Sequence, residues 1–306
     1  MRLIIGANGQ IAKSIINELP KSEFLFLLTS NKVKLLKFLK EIKKNNNYTI
    51  IESDYEKIIF PDGISSIINC TGFGDPTFHK SKDFFLKDLG TNIDNQILNF
   101  LEKNNNLHYF FLSTGGIYDS KKNYINARNN RKLKLNLDNL AENNYYILKK
   151  ITQELLHKSL KHLNIVNLRV FGFISEFINF NSNFFLATVF KSHLSKKKFL
   201  TNERNFLRDL ISVKDLIKFI NILEKKKIND TFDIFSSKPV TKKEILKFFE
   251  NKGLSLSLNL EKIKNLRKPK LISNCKKAKL MGFVSNKSSI ENISDIAENL
   301  ELYTTK

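Results

Sequence analysis

The chain has 306 residues, enough to bury one large core or two smaller ones. Hydrophobic residues make up 42% and charged residues 26%, the balance of a soluble, globular protein. The longest apolar runs, such as residues 24–28, are far too short to cross a bilayer, so no membrane partner is expected. The formal net charge of +21 points toward anions, yet the lysines are spread along helices and not gathered in one arm. Lys, Asn, Ile and Phe are abundant while Trp is absent and Gly and Pro are scarce, a drift such as an AT-rich coding sequence gives. The charge is therefore read as solvation of helix faces and attraction to small anions, and no nucleic-acid partner is expected. Cys70 and Cys275 lie far apart without metal-ligand spacing. Neither a metal nor a disulfide is expected, and with no signal peptide before the first strand the expected location is cytoplasmic.

The chain opens with an apolar strand at residues 3–5, a Gly-x-x-Gly turn at Gly6 to Gly9, and an amphipathic helix to about residue 19. Gly6 permits the tight turn and Gly9 lets backbone approach a pyrophosphate. The helix start offers free N–H groups and a positive dipole end to that anion. Ala12 stands where a third small residue lets helix pack on strand. Asn8, Gln10 and Ile11 share this turn and join Gly6 and Gly9 as cofactor-binding candidates. A second strand, residues 24–29, ends in Thr29-Ser30-Asn31-Lys32 with no acidic residue to bind ribose hydroxyls and repel a 2′-phosphate. Ser30 and Lys32 could accept that phosphate, which favours NADP slightly over NAD. A helix (32–43) and a strand (48–51) lead to Asp54, readable either as an adenine contact or as an ordinary loop aspartate.

The pattern repeats at residues 67–70, followed by Thr71, Gly72 and Gly74. Cys70, Thr71 and Gly72 are candidates because small residues at a strand's carboxyl end let a dinucleotide lie against the backbone. A helix spans 84–103, and the buried strand HYFFLST ends in Ser113, Thr114, Gly115 and Gly116. A basic, Asn-rich loop (120–131) leads to NNYYILKKITQELL, in which Tyr146, Lys150 and Glu154 fall four apart on one helix face. A lysine one turn from a tyrosine stabilises the phenolate and equips it for proton transfer. Tyr145 and Lys149 form the same pair in the next register. After a strand at 165–170 come a helix (183–194), a short strand, a helix starting at Ser212 or Val213, a strand, a helix that Thr241 could cap, and a final amphipathic helix (290–302). Strands alternating with long helices predict an α/β, Rossmann-like doubly wound parallel sheet with a smaller C-terminal substrate-binding lobe. The expected division is residues 1–172, with 207–236 returning to the sheet, against 173–206 and 237–306.

In GANGQIA, STGGIYD, Tyr146-x-x-x-Lys150-x-x-x-Glu154, LRVFGF and RDLISVKDL, the chain resembles the extended short-chain dehydrogenases/reductases, and among them the NAD-dependent epimerase/dehydratase family. FDIFSSKPVTKKEI and CKKAKLMGF resemble later segments of that family, so the likeness runs the length of the chain. It implies that Thr114, four before Tyr118, hydrogen-bonds the reacting oxygen and that Tyr146 moves the proton. Lys150 would lower the Tyr pKa and bind the nicotinamide ribose, while Glu154 selects this register over Tyr145/Lys149. Arg208 would grip the diphosphate of a nucleotide-sugar. The lesser alternatives are that Thr114 is a structural strand-end hydroxyl and that Arg208 pairs with Asp209 or Asp215 on the surface.

Family dehydratases carry an acidic pair where this chain has Gly115 and Gly116, which speaks against 4,6-dehydration. A proline expected shortly before the tyrosine is replaced by Glu142-Asn143-Asn144, and the preceding loop carries Lys121, Lys122, Arg128, Arg131, Lys132 and Lys134. The resemblance thus implies an NAD(P)-dependent 4-keto-sugar reductase or 4-epimerase acting on a nucleotide-sugar, with a homodimer allowed. A non-catalytic dinucleotide-binding regulator, or an RNA-binding protein using the basic surface, is the alternative from another class. Thr114, Tyr146 and Lys150 occurring together argue against it.

Overall fold

The computed structural model describes residues 1–43, 47–72, 84–118, 145–258, 270–273 and 275–304, without the side chains of 84–89, 145–146 and 303–304. In chain order the first elements are β1 (Arg2–Ile5), α1 (Gln10–Glu18), β2 (Leu25–Thr29), α2 (Lys32–Glu41), β3 (Tyr48–Glu52), β4 (Ser66–Asn69) and α3 (Phe84–Glu102). There follow β5 (His108–Thr114), α4 (Tyr145–Ser159), β6 (Asn164–Val170), α5 (Phe185–Leu194), β7 (Phe199–Thr201), β8 (Leu207–Arg208) and α6 (Val213–Leu223). The last are β9 (Asp230–Ile234), β10 (Val240–Thr241), α7 (Lys242–Asn251), β11 (Leu256–Leu258), β12 (Lys270–Leu271), α8 (Lys277–Leu280) and α9 (Ser289–Thr304). The expected strands and helices all occur, with ends shifted by one or two residues, as fraying ends allow. Ser212 caps α6 by accepting Asp215 N–H, and Thr241 and Glu244 form a reciprocal capping box on α7.

Seven parallel strands make one sheet in the order β3-β2-β1-β4-β5-β6-β9. Short apolar runs such as Ser66–Asn69 are buried at every position, because helices cover both faces of a parallel sheet. On one face Ile4, Ile68, Phe110 and Leu168 pack with Ile15 of α1 and Phe219 of α6. On the other, Ile5, Ile67 and Phe111 pack with Ile93, Ile97 and Leu101 of α3. Strand order reverses at the β1/β4 boundary, the crevice where this architecture receives ligands. A third apolar cluster joins α5, α7 and α9 through Phe190, Phe249 and Ile293. Beside it lie two small sheets, β10-β8-β12 and β11-β7. Strands of two or three residues leave no periodic signal, so the sequence could not announce them.

Buried polar groups fix α3 and α4 against the sheet. Tyr109 donates to Asp94 (2.6 Å), and Asn69 donates to the Tyr109 hydroxyl (2.9 Å). His157 of α4 is fully buried, with Nε2 3.0 Å from Asp94 and Nδ1 2.6 Å from Asn167 Oδ1. Each polar atom dragged into this layer has found a partner there, as burial demands. Among the described residues no helix is long and apolar enough to cross a membrane, and no His, Cys, Asp and Glu side chains cluster as metal ligands. Both cysteines are free.

Candidate active site

The carboxyl ends of β1 and β4 form a close-approach floor. Gly6 has φ +79°, and a Cβ there would stand 3.2 Å from Thr71 Cγ2 and 3.3 Å from Thr71 N. Only glycine is comfortable in this geometry. Gly6 N and Ala7 N both donate to Leu28 O, and Gly9 N donates to Gly6 O (2.9 Å), which closes the turn. No side chain caps the start of α1 and its first turn carries no acid, so the helix presents its N–H groups outward. Asn8 donates to Thr29 Oγ1 (2.6 Å) and to Asn31 O (2.8 Å), which ties the turn to the end of β2. Its Oδ1 is buried without a partner among the described residues. Gln10 reaches Ser175 Oγ (3.3 Å), and Ile11 packs on the core below. Thr71 turns back on Asn69 through both its N–H and its hydroxyl. Burial pushes the Cys70 thiol up to about 12, which removes it as a nucleophile.

At the end of β2, Ser30 and Lys32 are both exposed. Lys32 N–H donates to Glu52 Oε1 (3.0 Å), a carboxylate delivered by the neighbouring strand. Asp54 is exposed, and its Oδ1 accepts Glu56 N–H in a local turn. That is the ordinary loop role open to such a residue.

Strand alternation separates the two hydroxyls at the end of β5. Ser113 points to α4 and donates to Glu154 (2.5 Å). Thr114 Oγ1 instead accepts Gly116 N–H (3.0 Å), capping the short turn Gly115–Ile117. A hydroxyl that accepts there keeps its own proton to donate. A Cβ on Gly116 would lie 3.2 Å from Ile147, so this turn rests on the first turn of α4. Gly115 is tighter: a Cβ would stand 2.6 Å from the Phe171 ring. An acidic side chain at this position would have to displace that ring.

Lys150 is buried, with Nζ donating to Leu112 O (2.9 Å) and lying 3.9 Å from the Phe111 ring centroid. Burial lowers its pKa to about 8, against the attraction of Asp94 and Glu154. Lys149, in the competing register, lies against α3, with Nζ 3.3 Å from the Cβ position of Gly90. The Tyr146 side chain falls outside the described residues, as do Glu142-Asn143-Asn144 and the basic loop from Lys121 to Lys134; the backbone of Tyr146 is in α4.

Sequence reasoning missed what Glu154 does. It is bound by Arg169 through Nε (3.0 Å) and Nη2 (2.5 Å), while Arg169 Nη1 donates to Tyr118 OH (2.7 Å). Tyr118 OH bonds Asp233 (2.8 Å), which also accepts from Ser273 (2.7 Å). The signal was present: a charged residue inside the buried run LRVFGF must be paired. Arg208 is half-buried, its Nη1 donates to Leu207 O (2.9 Å), and its guanidinium lies 4.8 Å from the Phe206 ring centroid. Asp209 accepts Ser236 N–H (2.5 Å), and burial raises its pKa to about 6. Asp215 is engaged by Ser285 and Asn286.

Residues 2–235 match the family described as NAD dependent epimerase/dehydratase. The chain belongs to this family. No curated protein matches it closely. Among solved structures, UDP-N-acetylglucosamine 4-epimerase from Methanobrevibacter ruminantium, in complex with UDP-N-acetylmuramic acid, superposes with a TM-score of 0.79 at 15% identity. That match covers 99% of this chain and 98% of that one. UDP-glucuronic acid 4-epimerase from Bacillus cereus, in complex with UDP-glucuronic acid and NAD, gives 0.79 at 17% identity, covering 100% and 99%. dTDP-glucose 4,6-dehydratase from Bacillus anthracis, in complex with NAD, gives 0.76 at 13%, covering 100% and 96%. At such identities the likeness is one of fold, and it spans epimerases and a dehydratase alike.

Proposed function

We propose that the protein is an NAD(P)-dependent enzyme that oxidises or reduces C4 of a nucleotide-sugar, as a 4-epimerase or a 4-keto-sugar reductase. The observation that carries this reading is Lys150, a buried ammonium at the carboxyl end of β5, one helical turn from Tyr146. The Gly6–Gly9 cradle and the open start of α1 fit a dinucleotide pyrophosphate. When bound, the nicotinamide supplies the hydride exchange at the sugar carbon. Tyr146 takes or returns the hydroxyl proton, and Lys150 favours its phenolate by charge. Thr114 steadies the reacting oxygen. The placement of Lys149 against α3 favours the Tyr146/Lys150 register. The Phe171 ring against Gly115 supports the absence of 4,6-dehydration.

In this reading residues 1–172 and 207–236 hold the dinucleotide, and 173–206 with 237–306 form the substrate lobe. A 4-epimerase retains its dinucleotide through purification, whereas a reductase exchanges it every cycle. The sequence leans to NADP through Ser30 and Lys32. Arg208, beside β10 and β12, is the residue proposed to grip the substrate diphosphate, where a planar guanidinium suits paired phosphates. Arg208→Ala is expected to weaken substrate binding by about 1.5–3 kcal/mol, the worth of hydrogen bonds to a charged group. Cofactor affinity should stay unchanged. Steady-state kinetics with a nucleotide-sugar that is turned over checks this, and an unchanged KM removes Arg208 from the site.

A further inference from the structure

We propose that Glu52 selects the cofactor, favouring NAD(H) over NADP(H) by supplying from β3 the negative charge that the end of β2 lacks. This rests on the dinucleotide reading of the site given above. In this fold the adenosine ribose is received at the carboxyl end of β2, where an acidic side chain binds its hydroxyls and repels a 2′-phosphate. Here β2 ends in Thr29-Ser30-Asn31-Lys32, without an acid. The parallel register pairs Thr29 with Glu52, so the last residue of β3 stands beside that end. Glu52 Oε1 accepts the N–H of Lys32, the first residue of α2, at 3.0 Å.

The backbone N–H groups of Asn31, Lys32 and Lys34 are already engaged there, while the Ser30 hydroxyl and the Lys32 ammonium are exposed. Asn31 Oδ1 accepts Lys34 N–H (2.8 Å), and Asn31 N–H donates to Thr29 Oγ1 (3.2 Å). Asn8 holds both Thr29 Oγ1 and Asn31 O, so the segment is braced from the glycine turn. The contrast with α1 is direct: its start carries no side-chain cap and no acid, while that of α2 carries an asparagine cap and a carboxylate. A 2′-phosphate would have to displace Glu52 from the amide or lie against its like charge. Lys32 opposes this effect; both side chains are exposed and screened by salt, but Glu52 is held against the Lys32 amide while the ammonium rides a flexible stem. The amide is rigid, and Glu52 holds it.

The test is a fluorescence titration of the full chain with NADH and with NADPH. Wild type should bind NADH at least about tenfold more tightly, the scale of one charge placed at this position. Glu52→Gln keeps an oxygen for the Lys32 amide and removes only the charge. It should tighten NADPH at least about fivefold and leave NADH no tighter than in wild type, so that the preference for NADH falls. Glu52 is exposed, so the variant should melt with wild type. A wild-type preference for NADPH, or an unchanged ratio in Glu52→Gln, overturns the assignment alone. Binding of neither nucleotide overturns both the assignment and the dinucleotide reading beneath it.

Discussion

Tyr146→Phe is expected to lower turnover by at least about a hundredfold, the usual contribution of a positioned acid or base. Folding and dinucleotide binding should survive, since the phenyl ring keeps the packing volume and only the hydroxyl is lost. Tyr145→Phe should change turnover little. The asymmetry follows from α4: Lys150 lies under the strand ends at Leu112, whereas Lys149 turns away to Gly90 of α3. A dead Tyr145 variant beside an active Tyr146 variant would transfer the proton chemistry to the other register.

Arg169→Met is expected to destabilise the fold by about 3–5 kcal/mol, the scale for stripping the partner from a buried charge. Glu154 would be left 3% exposed, with Ser113 as its remaining donor. Glu154→Leu/Arg169→Met, which removes both charges, should recover part of the loss, because the desolvation penalty goes with them. Urea unfolding followed by far-ultraviolet dichroism reads both. A single variant costing less than about 1 kcal/mol would mean that water reaches Glu154 and that the network is peripheral.

The sheet was legible because strands such as Leu25–Thr29 and His108–Thr114 are largely apolar runs ending in small residues, and most crossovers carry a long helical segment. The helix starts at Ser212 and Thr241 were legible because capping is local chemistry. Three site features were not. Glu154 reads from spacing as the third member of a catalytic face, but it anchors α4 to β6 through Arg169, which lies fifteen residues on. Glu52 stands at the β2 end only because parallel pairing sets it opposite Thr29, and register is a tertiary fact. Gly115 stands in the sequence as a glycine where family dehydratases carry an acid, and only the Phe171 ring shows what excludes a side chain there. Spacing along one helix is visible in a sequence; meetings between strands are not.

The central claim, that this is a dinucleotide-dependent enzyme and not a protein whose charge of +21 serves nucleic acid, is tested most directly by paired titrations at two salt concentrations. One follows NADH fluorescence and the other a labelled oligonucleotide. Dinucleotide binding through backbone N–H groups, a helix end and buried rings should saturate at one per chain. It should weaken less than about threefold between about 50 and 200 mM salt. Oligonucleotide binding should be weak, indifferent to sequence and lost over the same range, as counterion release dictates. Tight, salt-resistant oligonucleotide binding with no saturable NADH binding would contradict the account.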